Sequence, residues 1–272
     1  MINYSAAWGY SLPYLNRNTL SAETGHRLYY QLIGGDATRP YLVFLHEGLG
    51  CAAMWADFPA KLCAATGCPG LVYDRLGYGR SSALNHPRTI HYLHRYALCE
   101  LPELVGKILP DTPYILIGHS DGGSIGLIFA AERPSLLKGL ITEAAHIFVE
   151  EETLAGIKVA NEAWAKGKLK GLAKYHGDKT DSLYHAWSAT WLSDWFQSWN
   201  IEYLLPSIEA PLLVIQGRDD QYASAEQAAC IASKTSGYAH VELVANCAHI
   251  PHIEAQAVVL QLMADFIAQV PQ

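Results

Sequence analysis

Six short stretches of the chain are almost continuously apolar: 41–46 (YLVFLH), 71–74 (LVYD), 114–118 (YILIG), 137–142 (LKGLIT), 212–216 (LLVIQ) and 240–244 (HVELV). Each is followed by a longer segment in which apolar residues recur at helical spacing. Strands that are apolar at successive positions must be covered on both faces, which predicts a mostly parallel central sheet flanked by helices. The stretch 28–33 (LYYQLI) is expected to precede these as an earlier, partly antiparallel strand. Glycine, proline or aspartate punctuates most strand ends. The fold class is therefore α/β.

The rhythm breaks between 146 and 206, where no strand pattern appears. This segment reads as several helices and holds five of the seven tryptophans: Trp164, Trp187, Trp191, Trp195 and Trp199. A helical insertion between two strands is most simply a cap over the carboxyl edge of the sheet, where open α/β sheets place their sites. The expected organisation is a core made of 1–145 and 207–272 with a cap of 146–206. Ser193-Asp194 is expected to N-cap a new helix within the cap.

The chemistry gathers at the ends of the predicted strands. Gly118-His119-Ser120-Asp121-Gly122 follows one strand and opens a helix over 121–132, the setting in which GxSxG exposes a nucleophilic serine on a sharp turn. A serine hydroxyl needs a base to take its proton, and the base needs a carboxylate to fix its tautomer. His249 lies in a loop after the last strand, in 246–252 (NCAHIPH), with His252 as its rival. Asp219 and Asp220, just past the strand LLVIQ, and Glu143, at the end of LKGLIT, compete for the acid, and spacing alone does not separate them. An oxyanion needs backbone donors aimed at it. The amide of Asp121 supplies one, and the loop His46-Glu47-Gly48-Leu49-Gly50 is placed to supply the second. Glu47 has two readings: it points away and pairs with a cation, or it tunes the site. A bare carboxylate beside an oxyanion would oppose catalysis, so the first is expected. The cap aromatics, with Trp55, Tyr78 and His119, predict an apolar pocket for an acyl chain or ring, lined by one or two of Trp164, Trp187 and Trp191.

Half of the 272 residues are hydrophobic, enough for one large core. The net charge of −7 excludes nucleic acid as the main partner, because a phosphate backbone needs a broad basic surface. No basic region followed by an apolar run opens the chain, and no apolar stretch of eighteen residues occurs, so neither a signal peptide nor membrane association is expected. The six cysteines form no CxxC pair and read as reduced thiols of a cytoplasmic protein. There is no GxxxxGK[ST] and no carboxylate at metal-ligand spacing from His86, His91 and His94, so no cofactor or metal is expected. The segment 158–179 holds six lysines and two acidic residues, a local charge of +4 in an acidic protein. Such a patch can steer an acidic partner, and an acyl carrier protein meeting Lys158, Lys166, Lys168, Lys170 and Lys174 is one candidate.

Together these motifs resemble the α/β-hydrolase superfamily over nearly the whole chain. HEGLG is similar to the family's HGxxG oxyanion loop, with Glu47 where glycine is usual, and the alignment implies Gly48 as the second donor. DRLGYGRSS resembles a supporting turn, and GHSDG the nucleophile elbow. GRDD resembles G-x-x-D and selects Asp220. CAHIPHIE, with Ala248 in place of glycine, supports His249. The resemblance implies a serine hydrolase that cleaves carboxylic esters through an acyl-enzyme, closest to small-molecule carboxylesterases and to carbon–carbon hydrolases of ring-cleavage products. A serine nucleophile argues against haloalkane dehalogenases and epoxide hydrolases. An esterase for carrier-linked acyl methyl esters is a further alternative. A ligand-binding or interaction module without turnover is the reading from another class.

Overall fold

The computed structural model describes residues 14–22 and 25–270. Eight strands form one sheet: β1 (Tyr14–Ser21), β2 (Arg27–Ile33), β3 (Tyr41–Leu45), β4 (Gly70–Asp74), β5 (Tyr114–His119), β6 (Leu137–Glu143), β7 (Leu212–Gly217) and β8 (Ala239–Val244). Their order is β1-β2-β4-β3-β5-β6-β7-β8. β1 and β2 run antiparallel to each other, as do β2 and β4, and every other neighbouring pair is parallel. The α/β class and the mostly parallel sheet are as the apolar runs predicted. The strand β1 was not anticipated. Its sequence, YLNRNTLS, is largely polar, and it has one sheet neighbour, β2.

Side chains alternate across each strand. Leu42, Phe44, Ile115 and Ile117 face a layer made by the helices Phe58–Thr66 and Gln256–Gln269, through Phe58, Leu62, Val259 and Met263. Val43, Leu45, Tyr114 and Leu116 face the opposite layer, made by the helices Leu101–Ile108, Asp121–Ala131 and Ala225–Lys234. Both faces are closed, which is why the central strands read as unbroken hydrophobic runs. The cysteines are free, with Cys51, Cys63, Cys68 and Cys247 buried in the core. Among the described residues no helix is long and apolar enough to cross a membrane.

Between β6 and β7 the chain forms the helices Glu151–Ala165 and Thr180–Leu192, joined by short helical turns. This segment is tied to the loops after β3 and β4. His176 Nε2 donates to the Leu49 carbonyl at 2.8 Å, and its Nδ1 accepts from the Gly79 amide at 3.0 Å. Lys179 Nζ donates to the carbonyls of Tyr78 and Ser81, so this lysine serves the fold rather than the free basic face. The helix expected to begin at Ser193-Asp194 does not form. The Ser193 hydroxyl donates backward to the Thr190 carbonyl at 2.6 Å and ends a helix instead of starting one. Beyond it Phe196 and Trp199 stack at 5.5 Å, with i→i+3 backbone bonds holding the chain in turns.

The tightest contact in this framework is at Gly122, where a Cβ would lie 1.9 Å from the Leu45 carbonyl oxygen. Gly122→Ala should therefore destabilise the fold by about 3 kcal/mol, the upper end of overpacking costs. Gly171, with open space around it, is the control, and Gly171→Ala should stay within about 0.5 kcal/mol of the parent. Urea unfolding midpoints measured at constant m-value will check both.

Candidate active site

Ser120 stands on the turn between β5 and the helix Asp121–Ala131, with φ 53° and ψ −118°. A serine in this region is strained, and the surrounding backbone must hold it there. Its amide donates to the Glu143 carbonyl at 2.8 Å, extending the β5–β6 pairing past the end of the strand. Gly118 and Gly122 make the turn possible: a Cβ on Gly118 would lie 2.3 Å from the Gly122 carbonyl oxygen. The residues around the serine are thus small because backbone meets backbone there.

His249 Nε2 lies 3.0 Å from Ser120 Oγ, and His249 Nδ1 lies 2.8 and 2.9 Å from the two carboxylate oxygens of Asp220. With Asp220 as acceptor, the proton of the neutral ring sits on Nδ1 and Nε2 is free to accept from the serine. The Asp220 side chain is fully buried and also accepts from the Tyr222 amide at 2.8 Å and from Gln216 Nε2 at 2.6 Å. Burial pushes its carboxyl pKa up, and the His249 imidazole and the hydrogen bonds more than offset this, leaving it below the usual value. The rival residues are placed elsewhere. Asp219 is exposed, and its amide donates to the Cys247 carbonyl. Glu143 and His252 pair with each other at 2.7 Å, both buried.

The histidine loop is held by Glu254, to which the sequence assigned no role, and by His119, expected from sequence only as a pocket residue. Both oxygens of Glu254 accept main-chain amides, from Ala248 at 2.5 Å and Ile250 at 3.2 Å. His119 Nε2 donates to the His249 carbonyl at 2.7 Å. Burial holds the His119 pKa well below 6.5, so it serves as a neutral donor rather than a second titrating base.

The loop after β3 is clamped by Arg75, which follows β4. Its guanidinium is buried and donates through Nη1 to the His46 carbonyl and through Nη2 to the Glu47 carbonyl at 2.9 Å. His46 reinforces the turn: Nδ1 donates to the Glu47 carbonyl at 2.9 Å, and Nε2 accepts the Arg75 amide at 3.1 Å. No local motif flags Arg75, because its role exists only once β3 and β4 are neighbours. Gly48 is packed between the cap and the elbow helix. A Cβ there would lie 2.6 Å from Trp187 Nε1 and 3.3 Å from the Asp121 carboxyl carbon. The expectation for Glu47 is corrected. Among the described residues it forms no ion pair. Its Oε2 accepts the Leu49 amide at 2.5 Å, and the side chain borders a cavity of about 210 Å³.

That cavity is also lined by Trp55, His119, Tyr175, Ile250 and His252. Trp55 lies 4.4 Å from the His252 ring, centre to centre. Of Trp164, Trp187 and Trp191, expected from sequence to line the pocket, none lines this cavity; Trp187 reaches the candidate oxyanion loop at Gly48. Trp191 is buried, and its Nε1 donates to the Tyr92 hydroxyl at 3.0 Å. That hydroxyl in turn donates to Asp121 Oδ2 at 2.9 Å. Trp164 stacks on Tyr184 at 4.0 Å and borders a surface depression with Lys166 and Lys170. Tyr78 is buried against Arg75.

Comparison with known proteins agrees with this fold. Mouse monoglyceride lipase is 24% identical over 149 residues, covering 55% of this chain and 49% of that protein. A proline iminopeptidase of Lactiplantibacillus plantarum is 31% identical over 135 residues, covering 47% of this chain and 46% of that protein. The chain thus matches about half the length of these curated relatives. Among solved structures, an esterase from Thermogutta terrifontis superposes with a TM-score of 0.72 at 18% identity, covering 94% of this chain and all of that one. An esterase from Exiguobacterium antarcticum gives 0.73 at 19% identity, covering 92% and 99%. The family described as alpha/beta hydrolase fold matches residues 40–181. With that match over half of its length, and with the sheet order and elbow described above, the chain belongs to the α/β-hydrolase fold family.

Proposed function

We propose that the protein hydrolyses carboxylic esters through an acyl-enzyme formed on Ser120, beneath a cap made by 146–206. The observation that carries this reading is the unbroken line from Ser120 Oγ to His249 Nε2 and from His249 Nδ1 to the Asp220 carboxylate. Ser120 Oγ attacks the ester carbonyl carbon and its proton passes to His249 Nε2. The negative charge that develops on the carbonyl oxygen is received by the amides of Asp121 and Gly48. Asp220 keeps the imidazole in the productive tautomer and stabilises the imidazolium. His249 returns the proton to the departing alkoxide. Water then enters, gives a proton to His249, attacks the acyl carbon and releases the acid with Ser120 restored.

One observation favours a protein-borne substrate as a second reading. Lys158, Lys166, Lys168, Lys170 and Lys174 are all exposed on the cap, and Glu162 is the one acidic residue that pairs with any of them, at 3.4 Å from Lys166. An acidic carrier domain would meet that face.

Three measurements test these readings. Ser120→Ala should lower kcat on a p-nitrophenyl ester by about 10⁴-fold or more, and full activity in that variant would remove the assignment. Asp220→Asn should cost about 10⁴-fold while Asp219→Asn is mild; the reverse order would transfer the role to Asp219. Turnover of a carrier-linked ester should fall steeply as added salt shortens the Debye length from about 10 Å to about 3 Å, while that of a small neutral ester holds. Equal responses would leave a small-molecule esterase.

A further inference from the structure

We infer that the cavity lined by Glu47, His119 and Ile250, the chain neighbours of Gly48, Ser120 and His249, takes an acyl group bearing a free ammonium, and that Glu47 is the residue that selects it. This rests on the reading of Ser120 as the acylated nucleophile. It adds what the acyl group must carry.

The carboxylate of Glu47 has no cationic partner among the described residues. Glu47 immediately precedes Gly48, the candidate oxyanion donor, and its side chain lines the cavity of about 210 Å³. Oε2 is held by the Leu49 amide at 2.5 Å. Oε1 has no hydrogen-bond partner among the described residues, and no lysine, arginine or histidine nitrogen there comes within ion-pair distance of the carboxylate. The guanidinium of Arg75, placed to answer it, is instead spent on the carbonyl oxygens of His46 and Glu47.

The rest of the cavity supplies no cation. Its lining contains no lysine or arginine. Burial keeps His46 and His119 uncharged, with their pKa values far below 6.5. His252 is already committed to Glu143. Three charged or titrating groups act on Glu47 from neighbouring elements: Arg75 after β4, His249 in the histidine loop and Asp121 at the start of the elbow helix. The first two favour its charged form and Asp121 opposes it. Burial is the largest influence and pushes its pKa up. A carboxylate in this position repels the negative charge that forms on a carbonyl oxygen bound at Gly48 and Asp121, so a neutral acyl group pays the full repulsion. An ammonium on the acyl group cancels it and offers three donors to the open oxygen Oε1. Met54, Trp55 and Ile250 leave room in the same cavity for a small apolar side chain.

The test compares two esters of one size, alanine p-nitrophenyl ester and p-nitrophenyl propanoate, which differ in the amino group. The parent enzyme should prefer the amino ester by about tenfold or more in kcat/KM. Glu47→Gln preserves an acceptor for the Leu49 amide and removes the charge. It should lower kcat/KM on the amino ester by about 30-fold, the loss expected when one partner of a desolvated charge pair is removed. It should raise kcat/KM on the propanoate. That crossing of preferences is the signature. An equal change on both esters, or a parent enzyme that prefers the propanoate, overturns the inference and leaves Glu47 as a support for the loop. A second readout is independent of turnover. Propylamine should slow fluorophosphonate labelling of Ser120 where propan-1-ol does not, and Glu47→Gln should abolish the difference. Absence of that protection also overturns the inference. The underlying reading fails separately, by the absence of Ser120 labelling or by full activity in Ser120→Ala.

Discussion

The backbone of Ser120 is the constraint around which this molecule is arranged. A φ of 53° with ψ of −118° costs a non-glycine residue about 1–3 kcal/mol, and it persists only where neighbours over-determine it. Here the neighbours are main-chain groups. The Glu143 carbonyl takes the serine amide, and the Leu45 carbonyl presses against Gly122 from the other side. Both come from strands adjacent to β5, so the turn is held by the order β3-β5-β6. The two apolar layers that close the sheet supply the burial that offsets the strain. The placement of Ser120 on this turn is therefore a property of the whole core.

The same dependence on neighbours decides what the sequence disclosed. The central strands were legible because each is covered on both faces and shows as a run. The elbow was legible because its glycines are a local demand of one sharp turn. The edge strand β1 was not, since strand pairing alone leaves no apolar trace in YLNRNTLS. Asp219 and Asp220 could not be separated by spacing. A main-chain bond decides between them: the Asp219 amide is taken by Cys247, while the carboxylate of Asp220 is held by Tyr222 and Gln216. Arg75 and Tyr92 were invisible because each acts on an element far away in the chain; Glu254 acts only four and six residues back and stands within CAHIPHIE, where no single residue pattern announces that both its oxygens hold amides. Ser193 misled because a serine hydroxyl donates backward as readily as it accepts forward.

The imidazoles near the serine divide the electrostatic work. His46 joins two pieces of backbone through a neutral ring, His119 holds the His249 carbonyl through another, and burial keeps the His146 pKa near 4. Uncharged rings give the site polar joints without adding positive charge near His249, whose own partner is a fully buried carboxylate. The His252–Glu143 pair repeats the imidazole–carboxylate motif on the other side of His119, where it braces the cavity wall against Trp55.

His176 and Lys179 fasten the segment between β6 and β7 to four carbonyl or amide groups of the loops after β3 and β4, and the His176 ring also meets the Tyr78 ring edge-on at 6.3 Å. Peptide groups are common to every residue type, so those four hydrogen bonds do not depend on which side chain stands at Leu49 or Ser81. They are sensitive instead to the path of the backbone. Point changes in these loops can drift without breaking them, whereas inserting or deleting a single residue between 75 and 82 would carry Gly79 out of reach. Evolution of this surface is thereby channelled into substitutions, with loop length as the quantity that selection must guard.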